Sequence, residues 1–176
     1  YRRVLIADSN PYALAVGLFG ALHADCQAVL PANLRWGHLT QVAGATDGVV
    51  SSQDHQFKTN NKISTFDNLS SSAVNLLQPL DADRAEIILH TSGTTGVPVA
   101  IRKPLRCLEA EIKAQTVEFA PPRESLVLAT VPPYHIYGLL FRILCPLANG
   151  RTFSTDHISY PEELTATAER YAGSML

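Results

Sequence analysis

The sequence predicts an α/β fold, and three observations carry that prediction. Short aliphatic runs (Val4-Leu5-Ile6-Ala7, Ala28-Val29-Leu30 and Gly48-Val49-Val50) alternate with segments of helical character. The connections between them are short, which favours parallel strands joined by helical crossovers. Strands and helices continue to alternate after a polar middle stretch, from Glu86 onward. With 176 residues, 46% of them hydrophobic, the chain can bury one substantial core and a small second lobe. Its 17% charged content is below the roughly 25% of soluble domains, so part of the surface is expected to meet another chain or another part of a longer one.

Each element has a local cause. Ser9-Asn10-Pro11 offers a helix cap followed by a proline at the first helical position, so a helix is expected from Pro11 to about Ala24. Asn33 to Gly44 reads as a second helix, stopped by the glycine. Between Gln53 and Pro79 the composition turns polar, with one short strand expected near Ile63 and a lobe boundary near residue 80. Glu86-Ile87-Ile88-Leu89 reads as a buried strand, Val97 to Ile101 as the next, and Leu105 to Phe119 as a helix ending before Pro121-Pro122. Leu126 to Val131 is the most strand-like run of the chain. Ile136 to Leu147, apolar nearly all round, predicts a buried helix. Asn149-Gly150 then turns into a strand at Arg151 to Ser154, and Pro161 opens a last amphipathic helix that fades at Gly173.

Charge and cysteine usage exclude several function classes. Fourteen Lys and Arg against sixteen Asp and Glu give a net charge of −2, without the basic patch that nucleic acid or a membrane surface would require. The longest apolar stretch, Tyr12 to Ala24, is too short to span a bilayer. Cys26, Cys107 and Cys145 lie far apart and form no C-x-x-C pair, the usage expected of reduced thiols in the cytoplasm. His23, His38, His55, His90 and His157 have no metal-ligand spacing, and His38 and His55 read as solvated surface residues. Arg142 and Arg151 read as structural.

The chemistry concentrates in Thr91-Ser92-Gly93-Thr94-Thr95-Gly96, four hydroxyls and two glycines directly after a buried strand. Glycines let successive N–H groups point inward, and hydroxyls add short donors, so such a turn suits phosphate oxygens. An ordinary Ser/Thr/Gly connection is the alternative, but a plain hairpin needs no cluster of hydroxyls. The turn is not a Walker loop, since no Lys-Ser/Thr follows Gly96, and G-x-G-x-x-G is absent. A dinucleotide-binding oxidoreductase would need glycines where Asp8-Ser9-Asn10-Pro11 stands, and Ser92 lies in no G-x-S-x-G elbow.

Leu89 to Pro98 resembles the phosphate-loop signature of AMP-forming adenylating ligases, which include acyl-CoA synthetases and 4-coumarate-CoA-ligase-like enzymes, and Thr91 to Gly96 match it completely. The resemblance implies the N-terminal part of the large domain of such a ligase, built of β-α-β layers with mixed sheets and flanking helices. Residues 1–80 would form an N-terminal α/β lobe and 81–176 the incomplete phosphate-loop and acyl-pocket segment of the same domain. It also implies ATP and Mg2+ as cofactors, a carboxylic acid as substrate, and CoA or an acyl carrier protein as thiol acceptor. Thr91, Ser92, Gly93, Thr94, Thr95 and Gly96 would hold the β- and γ-phosphates. The family usually has lysine after the proline, where this chain has Val99. Lys103, or Arg102 from the opposite strand face, is therefore expected to supply the missing charge.

A second segment, Val131 to Leu139, resembles the family's proline–aromatic–histidine–x–x–glycine stretch beside the acyl pocket. Carried over, it assigns Tyr134, His135 and Tyr137 to the pocket wall and gate, with Gly138 leaving room for substrate. His135 is not expected to act as a base, because a carboxylate is already ionised at neutral pH. By itself a histidine here would read as structural. In texture, Val97 to Lys103 and His135 to Arg142 look closest to ligases of aryl-polyene and xanthomonadin-type pigment pathways, which load aryl or acyl acids onto an acyl carrier protein. The family carries its adenine contacts, an acidic metal ligand and a mobile domain with a catalytic lysine further along. The chain is therefore expected to be part of a longer ligase, inactive alone. The rival expectation is a non-catalytic interaction or carrier-docking module that keeps the ligase fold.

Overall fold

A computed structural model describes residues 1–52, 62–64, 78–91, 99–119 and 124–174. The alternation of aliphatic runs and helices builds a six-stranded sheet in the order β4-β3-β1-β2-β5-β6, from β1 (Arg3–Ile6), β2 (Gln27–Leu30), β3 (Gly48–Ser51), β4 (Lys62–Ser64), β5 (Glu86–Thr91) and β6 (Val99–Pro104). All neighbours pair in parallel except β5 and β6, which run antiparallel at one edge. The parallel pairing expected of the opening segments is present. Because β5 hydrogen-bonds to β2, strands from before and after residue 80 share one sheet.

Helix α1 (Pro11–His23) starts where its cap dictates. The Asn10 side chain accepts from the backbone N–H of Tyr12 at 2.9 Å and of Ala13 at 3.1 Å, an arrangement worth about 1 kcal/mol. Asp8 is buried just before it, accepting from Asn10 N at 2.9 Å and Ser52 N at 2.7 Å, and so ties the end of β1 to the end of β3. Helix α2 (Trp36–Ala43) begins three residues later than expected, because the Asn33 side chain accepts from Arg35 N at 3.0 Å and holds a turn there.

Alternation along the strands divides the core between the two sheet faces. Val4, Ile6, Ala28, Leu30, Ile87 and Leu89 pack with α1, with α3 (Leu105–Phe119) and with the helix that follows Gly138. Leu5, Ala7, Val29, Val49 and Ile88 pack with Leu39, Val42 and Ala43 of α2. Each fully buried Leu or Ile side chain contributes roughly 1.5–3 kcal/mol of transfer free energy.

Leu126 to Val131 does not form one long strand. Only β7 (Leu126–Val127) pairs, in parallel with β8 (Thr152–Phe153), and so short a partner supplies no further ladder for Leu128 to Val131. The expected buried helix is present but locally wider than an α-helix: Gly138–Leu144 is π-helical and continues as α4 (Cys145–Ala148). Gly150 sits at φ 62°, the left-handed conformation its turn requires. Helix α5 (Pro161–Ser174) closes the described chain.

Candidate functional site

Because β5 runs parallel to β1, β2 and β3, its C-terminal end lies on the sheet edge where their chains also emerge, the edge at which open α/β sheets bind ligands. Thr91 ends that strand. It is exposed and pairs with Val99, and the antiparallel ladder runs back from there to Glu86 opposite Pro104. The two ends of the connecting residues 92–98 are thereby clamped about 5 Å apart. Ser92, Gly93, Thr94, Thr95 and Gly96 lie outside the described residues; their flanks do not. Thr91 Oγ1 stands 3.4 Å from the Val99 carbonyl oxygen, and Val99 is itself 51% exposed.

Lys103 is not brought to this edge. It pairs with Ile87, four residues along β6 from Val99, which puts it about 13 Å from the turn. Its ammonium donates to Glu111 at 2.9 Å on α3. Arg102 contacts Glu86 at 3.3 Å. Both cations expected to replace the missing lysine are therefore held near the opposite end of the β5–β6 pair.

The second candidate group lies at the start of the π-helical segment. Pro132 and Pro133 stop the chain after β7, the Pro132 carbonyl accepts from His135 N at 3.2 Å, and the His135 carbonyl accepts from Leu139 N at 2.7 Å. This short ladder brings Tyr134, His135, Tyr137 and Gly138 together. Tyr134 is half-buried against the core that holds Leu89, the residue that alternates with Thr91 onto the same sheet face. Burial pushes its phenol above the usual tyrosine range, so the hydroxyl stays protonated at neutral pH. Its ring lies 5.1 Å from that of the exposed His135. Tyr137 is 66% exposed and stacks on Phe141, with centroids 6.4 Å apart.

A Cβ at Gly138 would run into the carbonyl oxygen of Pro132 and the backbone of Pro133, so the missing side chain makes room for the polypeptide. A cleft of about 370 Å³ opens beside it, walled by Leu128, Val131, Tyr137, Phe141, Arg142 and Leu164 among others. Arg142, read from sequence as structural, is buried and donates to the carbonyls of Val131 at 3.4 Å, Ser154 at 3.5 Å and Asp156.

Sequence reasoning missed a histidine pair. His38 is partly buried instead of solvated. Its Nε2 accepts from Ala32 N at 3.1 Å, and its ring meets that of His90 edge-on at 6.1 Å. Burial lowers the pKa of both, and for His90 the neighbouring His38 lowers it further. His90 immediately precedes Thr91, but no spacing in the sequence connects it with residue 38. His55 lies outside the described residues. Among the described residues no group of three His, Cys, Asp or Glu side chains could hold a metal ion, and no helix is long and apolar enough to cross a membrane.

The mostly parallel sheet with its flanking helices is a fold shared with solved adenylate-forming ligase domains. The o-succinylbenzoate CoA synthetase of Bacillus subtilis, solved with the acyl-adenylate OSB-AMP, superimposes with a TM-score of 0.75 over 96% of this chain and 47% of its own, at 17% identity. The same synthetase solved with ATP and magnesium gives 0.70 over 96% of this chain and 48% of its own, at 16% identity. The chain belongs to the AMP-binding enzyme family, whose profile matches residues 2–174.

Two relatives are similar in sequence. The mitochondrial malonate–CoA ligase ACSF3 of Bos taurus is 31% identical over 70 residues, 40% of this chain and 12% of that protein. The sulfoacetate–CoA ligase of Cupriavidus necator is 36% identical over 78 residues, 44% of this chain and 15% of that protein. These matches take in less than a sixth of either ligase, and the chain spans just under half of the solved synthetase.

Proposed function

We propose that this chain forms the phosphate-turn and acid-facing part of an AMP-forming acid–thiol ligase. The whole enzyme would activate a carboxylic acid with ATP, releasing pyrophosphate, and pass the acyl group to the thiol of CoA or an acyl carrier protein. One observation carries the reading: β5 and β6 hold the two ends of the Thr/Ser/Gly connection together at the ligand edge of the sheet, with Thr91 exposed at its mouth. Thr91, Ser92, Gly93, Thr94, Thr95 and Gly96 would donate to the β- and γ-phosphates. Donors fixed around a leaving polyanion lower the barrier by meeting charge as it grows. Mg2+ would accompany the triphosphate and neutralise part of its charge.

Tyr134, His135 and Tyr137 would border the acid. The neutral phenol of Tyr134 can donate a hydrogen bond to a carboxylate without competing for its charge. The similarity of Val97–Lys103 and His135–Arg142 to pigment-pathway ligases supports an aryl or acyl acid and a carrier protein as acceptor. The half-buried free thiols suit the cytoplasm. The 176 residues alone would be inactive.

Pyrophosphate release by the full-length chain, measured across a panel of acids with ATP and Mg2+, tests the reading. Acid-dependent release is expected, and no release with any acid overturns it. His135→Ala is expected to change acid affinity or thioester formation more than adenylate formation.

A further inference from the structure

Every residue from Gly138 to Leu144 is buried except Phe141, which is 38% exposed. The stretch is π-helical, a conformation found frequently at functional sites. The one side chain it turns outward is a large apolar ring. Its neighbours Phe119 and Tyr137 are exposed as well, at 63% and 66%, so three aromatic rings share one patch of surface.

Two clefts meet at this patch. The larger, about 370 Å³, has Tyr137 in its wall; the smaller, about 290 Å³, has Phe119, Gln115 and Cys145 in its wall. Phe141 and Leu128 line both. The Phe141 ring stacks on Tyr137, with centroids 6.4 Å and planes 15° apart, and meets Phe119 edge-on at 5.9 Å. It therefore stands between a wall residue of one cleft and a wall residue of the other, as a partition. Each cleft alone lies near the lower end of the roughly 300–1,000 Å³ of small-molecule sites, so a partition between them sets a size limit.

The larger cleft presents an apolar surface from Leu128, Val131, Tyr137, Phe141 and Leu164. Arg142 also contributes to it, but is 3% exposed, and its guanidinium is given to three backbone carbonyls. Such a surface favours an uncharged body, because a charge would enter it without a partner. Tyr137 belongs to the stretch assigned above to the border of the acid, so this cleft continues that site.

We propose that Phe141 is a specificity-determining residue that closes the larger cleft off from the smaller and so limits the length of the apolar acid the enzyme accepts. The proposal rests on the acid-activation reading above and names the substrate class of that site, monocarboxylic acids with a short apolar body. With the ring removed, the two clefts join along Leu128, and a longer body runs on toward Phe119 and Cys145.

The test uses the full-length enzyme with Mg2+–ATP and two series of monocarboxylates, straight-chain acids from butyrate to palmitate and ω-phenyl acids from phenylacetate upward. The readouts are kcat and KM for acid-dependent pyrophosphate release. In the parent, kcat/KM is expected to rise about 4-fold with each added methylene and then to fall once the cleft is full. Phe141→Ala is expected to move the maximum to longer acids, raising the ratio of long to short by at least about 10-fold, mainly through KM. Phe141→Tyr, which keeps the ring, is expected to keep the parent profile.

A parent whose kcat/KM shows no maximum in either series overturns the proposal without any variant having to fold. A Phe141→Ala profile with its maximum in place, all acids unchanged or lowered alike, overturns it too, because a purely structural role has no length dependence. So does a Phe141→Tyr profile shifted as far as that of Phe141→Ala. Release with an unshifted maximum removes this proposal and leaves the ligase reading intact, whereas no release with any acid removes both.

Discussion

Thr91 stands opposite Val99 across the last rung of the β5–β6 ladder, its hydroxyl oxygen 3.4 Å from the Val99 carbonyl oxygen. This pair marks the mouth of the hydroxyl-rich connection, and the side chain on its β6 side is apolar and half-exposed where the resemblance to adenylating ligases implies a lysine.

Restoring that charge should strengthen phosphate binding. In the full-length chain Val99→Lys is expected to lower the KM for ATP roughly 3- to 10-fold, the range of one partly exposed ionic contact. The gain should shrink as salt rises. An ATP KM unaffected at low ionic strength would count against a phosphate role for the turn.

Lys103 is expected to behave as a strut between β6 and α3. Lys103→Ala removes the 2.9 Å contact with Glu111, a partly exposed pair, and should cost at most about 1 kcal/mol in denaturant melts. Its distance from the turn predicts an unchanged ATP KM. A several-fold rise would return Lys103 to the phosphate site.

Gly138→Ala should be costly for a reason unrelated to substrate. The added methyl meets the Pro132 carbonyl, which belongs to the backbone and cannot swing away as a side chain would. A loss of about 1–3 kcal/mol is expected, from overpacking, and urea unfolding measures it. A variant as stable as the parent would show that the Pro132–Pro133 turn yields.

The His38–His90 pair should make stability depend on pH. Both imidazoles have pKa values below the ordinary value of 6.5, so between those lowered values and 6.5 the unfolded chain binds more protons than the folded one. Their contribution is then fully present above about pH 6.5 and is lost as the pH falls below it. A cation at His38 also gives up the lone pair that accepts from Ala32 N. Urea midpoints should therefore drop between pH 7.5 and 5.5 more for the parent than for His90→Phe, and an identical drop in both would remove His90 from the account.

The sequence by itself determined most of the strands and helices and where several of them end, Leu128 to Val131 being an exception. The Asn10–Pro11 cap starts α1, Pro121 follows α3, and both signals act within a turn of the chain. It also placed the hydroxyl cluster directly after a buried strand, and the proline–aromatic–histidine stretch before a buried helix. Only the tertiary structure decided which groups meet. That β6 lies antiparallel at the edge sends Lys103 away from the turn; that Pro132 folds back onto Gly138 gives the glycine a packing role; and that α2 crosses to the opposite face of the sheet from α1 sets His38 against His90. Local patterns fix backbone conformation through sterics and nearby hydrogen bonds. Partners distant in sequence are chosen by strand order and by the packing of faces, which a pattern a few residues long does not encode.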